Sequence, residues 1–324
     1  MTGTVGVIAH LDNPSSGDVR DLAAEAEAAG ADWLGVADAF WWRDTWMLLA
    51  AAADATKTIA LGPLVTNPYL RHPFHTVSAL ATLQELAGPR VHLGVGAGGS
   101  EVSGAAGISR ADSPLRIEAL VTLVRRVAAG HPLDERSGRK LDVPLQPVTV
   151  QIAGRGDKVL RAAGRCGDRA LLWAVPASDA ARSASVIRAG AQSGRAAGTD
   201  PDGPELVWAP LVAHEPADRE RGRVIAAYGV LNASPELRQR WGIEPALVAE
   251  IRSTLVAGGA EAATHLVPAH VVDDVVSPDR DPDRFAEQAR AIGARHLAIP
   301  AHDLELVRPH VAWARSVLDR IDRE

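Results

Sequence analysis

Short runs of apolar and β-branched residues alternate with longer amphipathic segments along the chain. The first two runs cover residues 4–11 and 33–38, and between them residues 19–29 place Leu22, Ala23 and Ala26 on one helical face before Gly30. This alternation is typical of parallel β/α units, and a glycine just past such a segment is a common helix end. The same pattern predicts further strands at residues 59–66, 91–95, 148–153, 170–175, 206–213 and 295–300, with helices at residues 45–55, 74–86, 114–129, 157–166, 178–191 and 302–321.

Eight predicted strands, each followed by a helical segment, favour a (β/α)8 TIM barrel. An open doubly wound sheet would have fewer strands and a point where the strand order reverses. The segment between the seventh and eighth strands is longer than one crossover helix needs. We therefore expect a helical insertion at about residues 215–294, within a single domain of residues 1–324. The helices predicted there are residues 219–227, 235–241, 245–257 and 284–292.

Composition is that of an ordinary globular protein, with 324 residues, 47% hydrophobic and 23% charged residues and a net charge of -6. A chain with few lysines and mild acidity is not expected to bind nucleic acid. No apolar run is long enough for a membrane span and no basic leader opens the chain, so we expect a cytoplasmic protein. Cys166 is the only cysteine, which excludes an intrachain disulfide and a cysteine-based metal site.

The active site of such a barrel lies where the carboxyl ends of the strands meet, because the loops after the strands converge there. That rule nominates His10, Asp38 and Thr66, near the ends of the first three predicted strands. It also nominates Trp173 near the end of the sixth strand and His214 after the seventh. A histidine at such a position can equally be a hydrogen-bonded structural residue, and Asp38 can equally cap a turn.

Two glycine-rich stretches follow predicted strands. Gly94-Val-Gly-Ala-Gly-Gly99 formally matches a dinucleotide-binding fingerprint, but no predicted helix starts directly after it, so that interpretation is rejected. The glycines instead indicate close approach of the backbone to a flat or bulky group, or a tight turn without a ligand. Ala153-Gly-Arg-Gly-Asp157 opens a helix, which favours a phosphate site, with an ordinary glycine-rich turn as the alternative.

Tryptophan is the most frequent aromatic residue, with eight Trp against three Phe and two Tyr. Trp41 lies near the end of the second predicted strand and is a candidate pocket wall. Trp42 and Trp46 are four residues apart, so we expect them to pack from one helix face, in the core or in a dimer interface. His72 and His75 have no third ligand nearby in the sequence, which favours structural roles over a metal site.

Residues 58–73 read Thr-Ile-Ala-Leu-Gly-Pro-Leu-Val-Thr-Asn-Pro-Tyr-Leu-Arg-His-Pro, and residues 89–98 read Pro-Arg-Val-His-Leu-Gly-Val-Gly-Ala-Gly. With Ala81-Thr-Leu-Gln-Glu-Leu86 between them, these segments resemble the bacterial luciferase-like superfamily. The similarity is greatest to the branch that contains methylenetetrahydromethanopterin reductase and other enzymes of the deazaflavin coenzyme F420. The resemblance covers essentially the whole chain and implies the TIM-barrel fold and a homodimer.

Carried over residue by residue, the resemblance implies a cis peptide bond between Leu64 and Val65 that presses against the middle ring of the deazaflavin. Asp38 matches the acidic member of an Asp-His pair at the family's second strand. The residues that would line the ring system are Thr66, Gly96, Ala97 and Gly98, and those that would hold the cofactor phosphate are Ala153, Gly154, Arg155 and Gly156.

Two positions depart from the family pattern. The histidine of the Asp-His pair is Ala39 here, and an acidic residue that some sugar-phosphate dehydrogenases of the family carry falls at Gly99, with Glu101 two positions further on. Without the usual base, oxidation of an alcohol is disfavoured, whereas hydride delivery to an activated C=C, C=N or iminium group remains possible.

We therefore expect an F420-dependent oxidoreductase that acts as a reductase on a small organic molecule. An FMNH2-dependent monooxygenase is the first alternative, and a barrel that has lost catalysis with the missing histidine is the second. The catalytic candidates are Asp38, Glu101 and His10, and the candidate pocket residues are Trp41, Trp173 and His214.

Overall fold

A computed structural model of the chain describes residues 3–11, 14–99, 103–104, 106–213 and 216–323. Eight parallel strands form a barrel, closed by backbone bridges between residues 61 and 91 and between residues 66 and 95. The predicted TIM barrel is confirmed. In barrel order the strands are β3 (Ala60–Pro63), β2 (Trp33–Val36), β1 (Val5–Ala9), β10 (Ala294–Ala301), β7 (Glu205–Ala209), β6 (Arg169–Trp173), β5 (Thr149–Ala153) and β4 (His92–Gly96).

Helices follow the strands on the outside of the barrel, and the first of them has a recognisable signal at each end. The Ser15 hydroxyl accepts a hydrogen bond from the Asp18 amide, while the Asp18 carboxylate accepts one from the Ser15 amide, a reciprocal cap that starts the first helix. Gly30 adopts φ 84° just past its end, as predicted. These helices are Ser16–Ala28, Thr45–Ala55, Pro73–Ala87, Ser113–Ala128, Asp157–Cys166, Ala177–Gln192 and Leu304–Ile321.

Side chains alternate along the strands between the helical layer and the barrel interior. Val5 and Val7 of β1 face outward and pack in the large core between strands and helices. Ile8 faces inward and packs with Trp33, Leu64 and other apolar side chains of the interior. The barrel interior is therefore a packed core, and in barrels of this kind ligands bind at the carboxyl ends of the strands.

The segment between β7 and β10 contains an insertion with its own hydrophobic cluster. The single strand predicted at residues 206–213 is wrong, because Pro210, which has no amide hydrogen, interrupts it. The two residues that follow Pro210, Leu211–Val212, form a separate short strand, β8, which pairs with β9 (Val276–Ser277). The helices are Pro216–Asn232, Pro235–Arg240, Pro245–Ala263, Ala269–Val275 and Pro282–Ile292, of which Ala269–Val275 was not predicted. Among the described residues, no helix combines the length and apolarity needed to cross a membrane.

Candidate active site

The wall of the mouth at β3 and β4 is built around a bulge at Leu64 and Val65. The peptide bond between these two residues is cis, as the family resemblance implied. The Leu64 amide donates to the carbonyl oxygen of Val36 at 2.7 Å, and the Thr66 amide donates to that of Gly94 at 3.0 Å. The bulge is thus hydrogen-bonded to both neighbouring strands.

Two glycines make room for this bulge. A methyl group on Gly94 would lie 2.2 Å from the Pro63 carbonyl oxygen, and one on Gly35 would lie 2.4 Å from Cβ of Leu64. Neither position tolerates a side chain without displacement of backbone or core atoms. The interpretation that residues 94–99 are glycine-rich to admit a bound group is therefore wrong for Gly94, which is required by the chain's own fold.

Asp38 and Thr66, both predicted site residues, are in direct contact. The Thr66 hydroxyl donates a hydrogen bond to Oδ2 of Asp38 at 2.7 Å. Thr66 is only 1% exposed, and its hydroxyl is used in this contact with Asp38. Burial raises the pKa of the Asp38 carboxyl, although the hydrogen bond from Thr66 acts in the opposite direction.

The other predicted ring-lining residues divide by exposure. Leu64 and Gly96 are buried behind the surface of the mouth, whereas Val65, Ala97 and Gly98 are partly exposed. Gly98 adopts φ 76°, and its carbonyl oxygen accepts a hydrogen bond from Arg110 at 2.7 Å. A bound molecule can therefore contact Val65, Ala97 and Gly98 on an ordered wall.

The loop after β5 presents an open helix start. Gly156 precedes the first turn of Asp157–Cys166 without any side-chain cap, and a methyl group built on it would meet no atom within 4 Å. Gly154, in contrast, is in close contact with Val159, whose Cγ1 would lie 2.6 Å from an added methyl group. The first-turn amides at Gly156 are thus accessible to an anion, in the favourable field of the helix.

Arg155 adds a positive charge to this loop. Its Nε donates to the carbonyl oxygen of Trp173 at 3.3 Å, while its Nη1 is buried and has no hydrogen-bond partner among the described residues. Burial lowers the pKa of Arg155 to about 10, which leaves the guanidinium charged at neutral pH. A buried charged donor without an acceptor is costly, so this arrangement fits an anionic ligand.

The opposite side of the mouth carries two histidines. His10 follows β1, and its ring lies 4.8 Å from the ring of His302, which follows β10, and 6.0 Å from the ring of Trp173. The sequence interpretation missed His302 because it was assigned to the closing helix, which in fact begins at Leu304. The rule that residues just after a strand line the mouth selected His10. It would also have selected His302 if the end of β10 had been predicted correctly.

The family assignment follows from a match over nearly the whole barrel. The model of the luciferase-like monooxygenase family matches residues 3–296. The chain belongs to this family. The 5,10-methylenetetrahydromethanopterin reductase of Archaeoglobus fulgidus is 29% identical over 239 residues, which are 71% of each chain.

Two further proteins are similar to this chain, one in sequence and one in structure. The F420-dependent glucose-6-phosphate dehydrogenase of Beutenbergia cavernae is 35% identical over 173 residues, which are 46% of this chain and 51% of that protein. The coenzyme F420-dependent tetrahydromethanopterin reductase of Methanopyrus kandleri superposes with a TM-score of 0.78 at 20% identity, covering 99% of this chain and 100% of that one. The latter likeness supports the fold.

Some predicted residues of this luciferase-like barrel lie elsewhere than expected. Trp42 is 47% exposed and precedes the helix Thr45–Ala55. The prediction that it shares a helix face with Trp46 is therefore wrong. Trp41 is 43% exposed in the loop after β2. His72 caps the next helix by accepting a hydrogen bond from the Phe74 amide, which is a structural role. Glu101 and His214 lie outside the described residues.

Proposed function

We propose that this luciferase-like protein is a coenzyme F420-dependent oxidoreductase that reduces a small organic substrate. The observation that carries the proposal is the open helix start at Gly156 next to Arg155, whose buried Nη1 has no hydrogen-bond partner among the described residues. This candidate anion site follows β5, whose Ala153 is in register with Gly96 of β4. Family relatives named for F420-dependent chemistry support the same cofactor.

The residues at the mouth fit a cofactor with a flat ring and a phosphate. The amides of the first turn after Gly156, together with Arg155, would bind the phosphate, and Ala153 and Gly154 would shape the loop. Val65, Ala97 and Gly98 would contact the ring, while Leu64, Thr66 and Gly96 support that wall from behind. When bound, F420 supplies a carrier for two electrons and a proton, as a hydride.

Reduction is proposed as the direction because the expected base of the second strand is absent. Ala39 occupies its place and is only 4% exposed, so it offers no group for proton abstraction. Asp38 is adjacent, and its raised pKa favours a carboxyl that can hold a proton. The side chains proposed to handle protons are Asp38, Glu101 and His10, and those proposed to line the substrate pocket are Trp41, Trp173 and His214.

Binding titrations of the purified protein with F420 and, in parallel, with FMN test the proposal. We expect saturable F420 binding, little FMN binding, and oxidation of reduced F420 in the presence of activated alkenes or imines. Tight FMN binding with oxygen consumption would identify a monooxygenase instead, and binding of neither cofactor would indicate a barrel without this activity. We further propose a homodimer, which light scattering tests directly.

A further inference from the structure

His10 and His302 occupy equivalent positions one residue past two neighbouring strands. Ala9 of β1 is in register with Ala301 of β10, and the His10 amide donates to the Ala301 carbonyl oxygen at 3.0 Å. The two imidazole rings meet edge to face, with an interplanar angle of 79°. The backbone register of the closed barrel therefore brings together two histidines that are 292 positions apart.

The hydrogen bonds of the pair determine where the protons lie. Nδ1 of His302 is 3.2 Å from the carbonyl oxygen of His10 and also 3.2 Å from Nδ1 of His10. A carbonyl oxygen only accepts hydrogen bonds, so Nδ1 of His302 carries a proton. Nδ1 of His10 faces that same proton and therefore acts as an acceptor. A neutral His10 then has its own proton on Nε2.

The surroundings of His302 keep it neutral. Burial lowers its pKa to about 4, and the positive charge of Arg221 acts in the same direction, while Asp218 and the hydrogen bond to the His10 carbonyl oxygen oppose them. Asp218, His302 and His310 all line one cavity. At neutral pH, His302 thus carries one ring proton, and the contact with the His10 carbonyl oxygen places it on Nδ1.

The position of the pair indicates what His10 can contact. In the closed barrel, β1 lies opposite β5 and β10 lies opposite β4, so the ends of β1 and β10 lie across the mouth from the strands that precede Arg155 and Gly98. His10 is exposed, and its ring lies near that of Trp173. A molecule held along β3, β4 and β5 would therefore present its free face toward His10.

We propose that His302 is a positioning residue that fixes His10 as the Nε2–H tautomer, so that His10 donates a hydrogen bond to a heteroatom of the substrate. The substrate role rests on the function proposed above, whereas the tautomer is a property of the free protein. This pair would provide an imidazole at the mouth, where position 39 after the second strand, occupied by Ala39, provides none.

Nitrogen-15 NMR of the imidazole rings tests the tautomer without any cofactor. His10→Gln identifies the His10 signals by their loss. We expect wild-type His10 to show a pyridine-type Nδ1 and a pyrrole-type Nε2, and His302→Leu to mix the two tautomers. His302→Asn places an amide N–H near the position of Nδ1 and should restore the wild-type pattern. In His302→Gln the amide lies one bond further from the backbone, so this variant should not restore that pattern.

Kinetics then test the role toward the substrate. With F420 affinity unchanged, we expect kcat/KM for the substrate to fall about tenfold in His302→Leu and in His302→Gln and to recover in His302→Asn. A pyrrole-type Nδ1 on wild-type His10, or an unchanged tautomer in folded His302→Leu and His302→Gln, would overturn the proposal. Failure of F420 to bind the wild-type protein would overturn the proposed function and leave the NMR result on the pair intact.

Discussion

Aspartate in place of Gly156 should separate cofactor binding from folding. Gly156 has an extended backbone, with φ -80° and ψ 142°, and open space where a side chain would begin. An aspartate fits there without strain, and its carboxylate can accept a hydrogen bond from the uncapped first-turn amides of Asp157–Cys166. We expect the free energy of unfolding to rise by roughly 0.3 kcal/mol, the usual gain of aspartate over glycine at such a position.

The same carboxylate would repel the phosphate of the cofactor. Two like charges about 5 Å apart repel each other by about 3 kcal/mol at an effective dielectric constant of about 20. That energy corresponds to a loss of affinity for F420 of more than about 100-fold. Asp157 does not already cause this repulsion, because its carboxylate accepts a hydrogen bond from Arg182 at 2.7 Å.

Fluorescence titration with F420 at low salt measures the affinity, and urea denaturation measures the stability. Gly156→Ser is the matched control, since serine also caps a helix but carries no charge. Gly154 is less suitable for the experiment because any side chain there would collide with Val159. A folded Gly156→Asp variant that binds F420 as tightly as the wild type would refute the assignment of the β5 loop to the phosphate.

Two further predictions concern buried polar groups. His92 is 3% exposed, and its burial lowers its pKa to about 3, so the unfolded chain binds one more proton than the folded chain as the pH falls from about 6 to 4. Protonation of His92 in the unfolded chain should therefore lower the free energy of unfolding by about 1.4 kcal/mol for each unit by which the pH falls. Urea denaturation at several pH values should show a weaker dependence of this free energy on pH for His92→Leu than for the wild type, and an equal dependence would contradict the prediction. Thr66→Val removes the hydrogen bond that lowers the pKa of Asp38, so the basic limb of the pH–rate profile, where Asp38 loses the proton it would donate, should move to higher pH, whereas Thr66→Ser should leave it unchanged.

The barrel was predictable because local patterns and global topology agree. Strands alternate with helices of clear period, and Gly30 marks the end of the first helix, whereas the start predicted at residue 19 lies at Ser16, after the Ser15 cap. Those signals depend on neighbours in the sequence, which is why the bounds of Thr45–Ala55 and Asp157–Cys166 were predicted to the residue. The insertion was predicted less well, since the short helix Ala269–Val275 is stabilised by packing in a separate cluster rather than by its own pattern.

The excess of tryptophan shows the limit of sequence reasoning about burial. Trp33 lies inside the barrel, 5.6 Å from the ring of His92, whereas Trp208 of β7 points outward and stacks on Phe285. Trp241 is buried in the insertion, where its Nε1 donates to Asp274 at 2.7 Å. The three tryptophans thus lie in the barrel interior, in the layer between strands and helices, and in the insertion. The direction of a side chain from its strand, or tertiary packing, determines in which of these a tryptophan is buried. Spacing alone could not make that distinction, as the exposed Trp42 shows.

Chemistry at the mouth depends on pairs of strands rather than on single strand ends. Thr66 beyond β3 supports Asp38 beyond β2, Arg155 after β5 is bonded to Trp173 of β6, and His302 after β10 contacts His10 after β1. Each pair is created by the register between neighbours in the barrel. A sequence shows only candidates one at a time, and an error of one or two residues at the end of β10 was enough to hide His302. Because β1 and β10 become neighbours only when the barrel closes, their pair could not be inferred without the three-dimensional register.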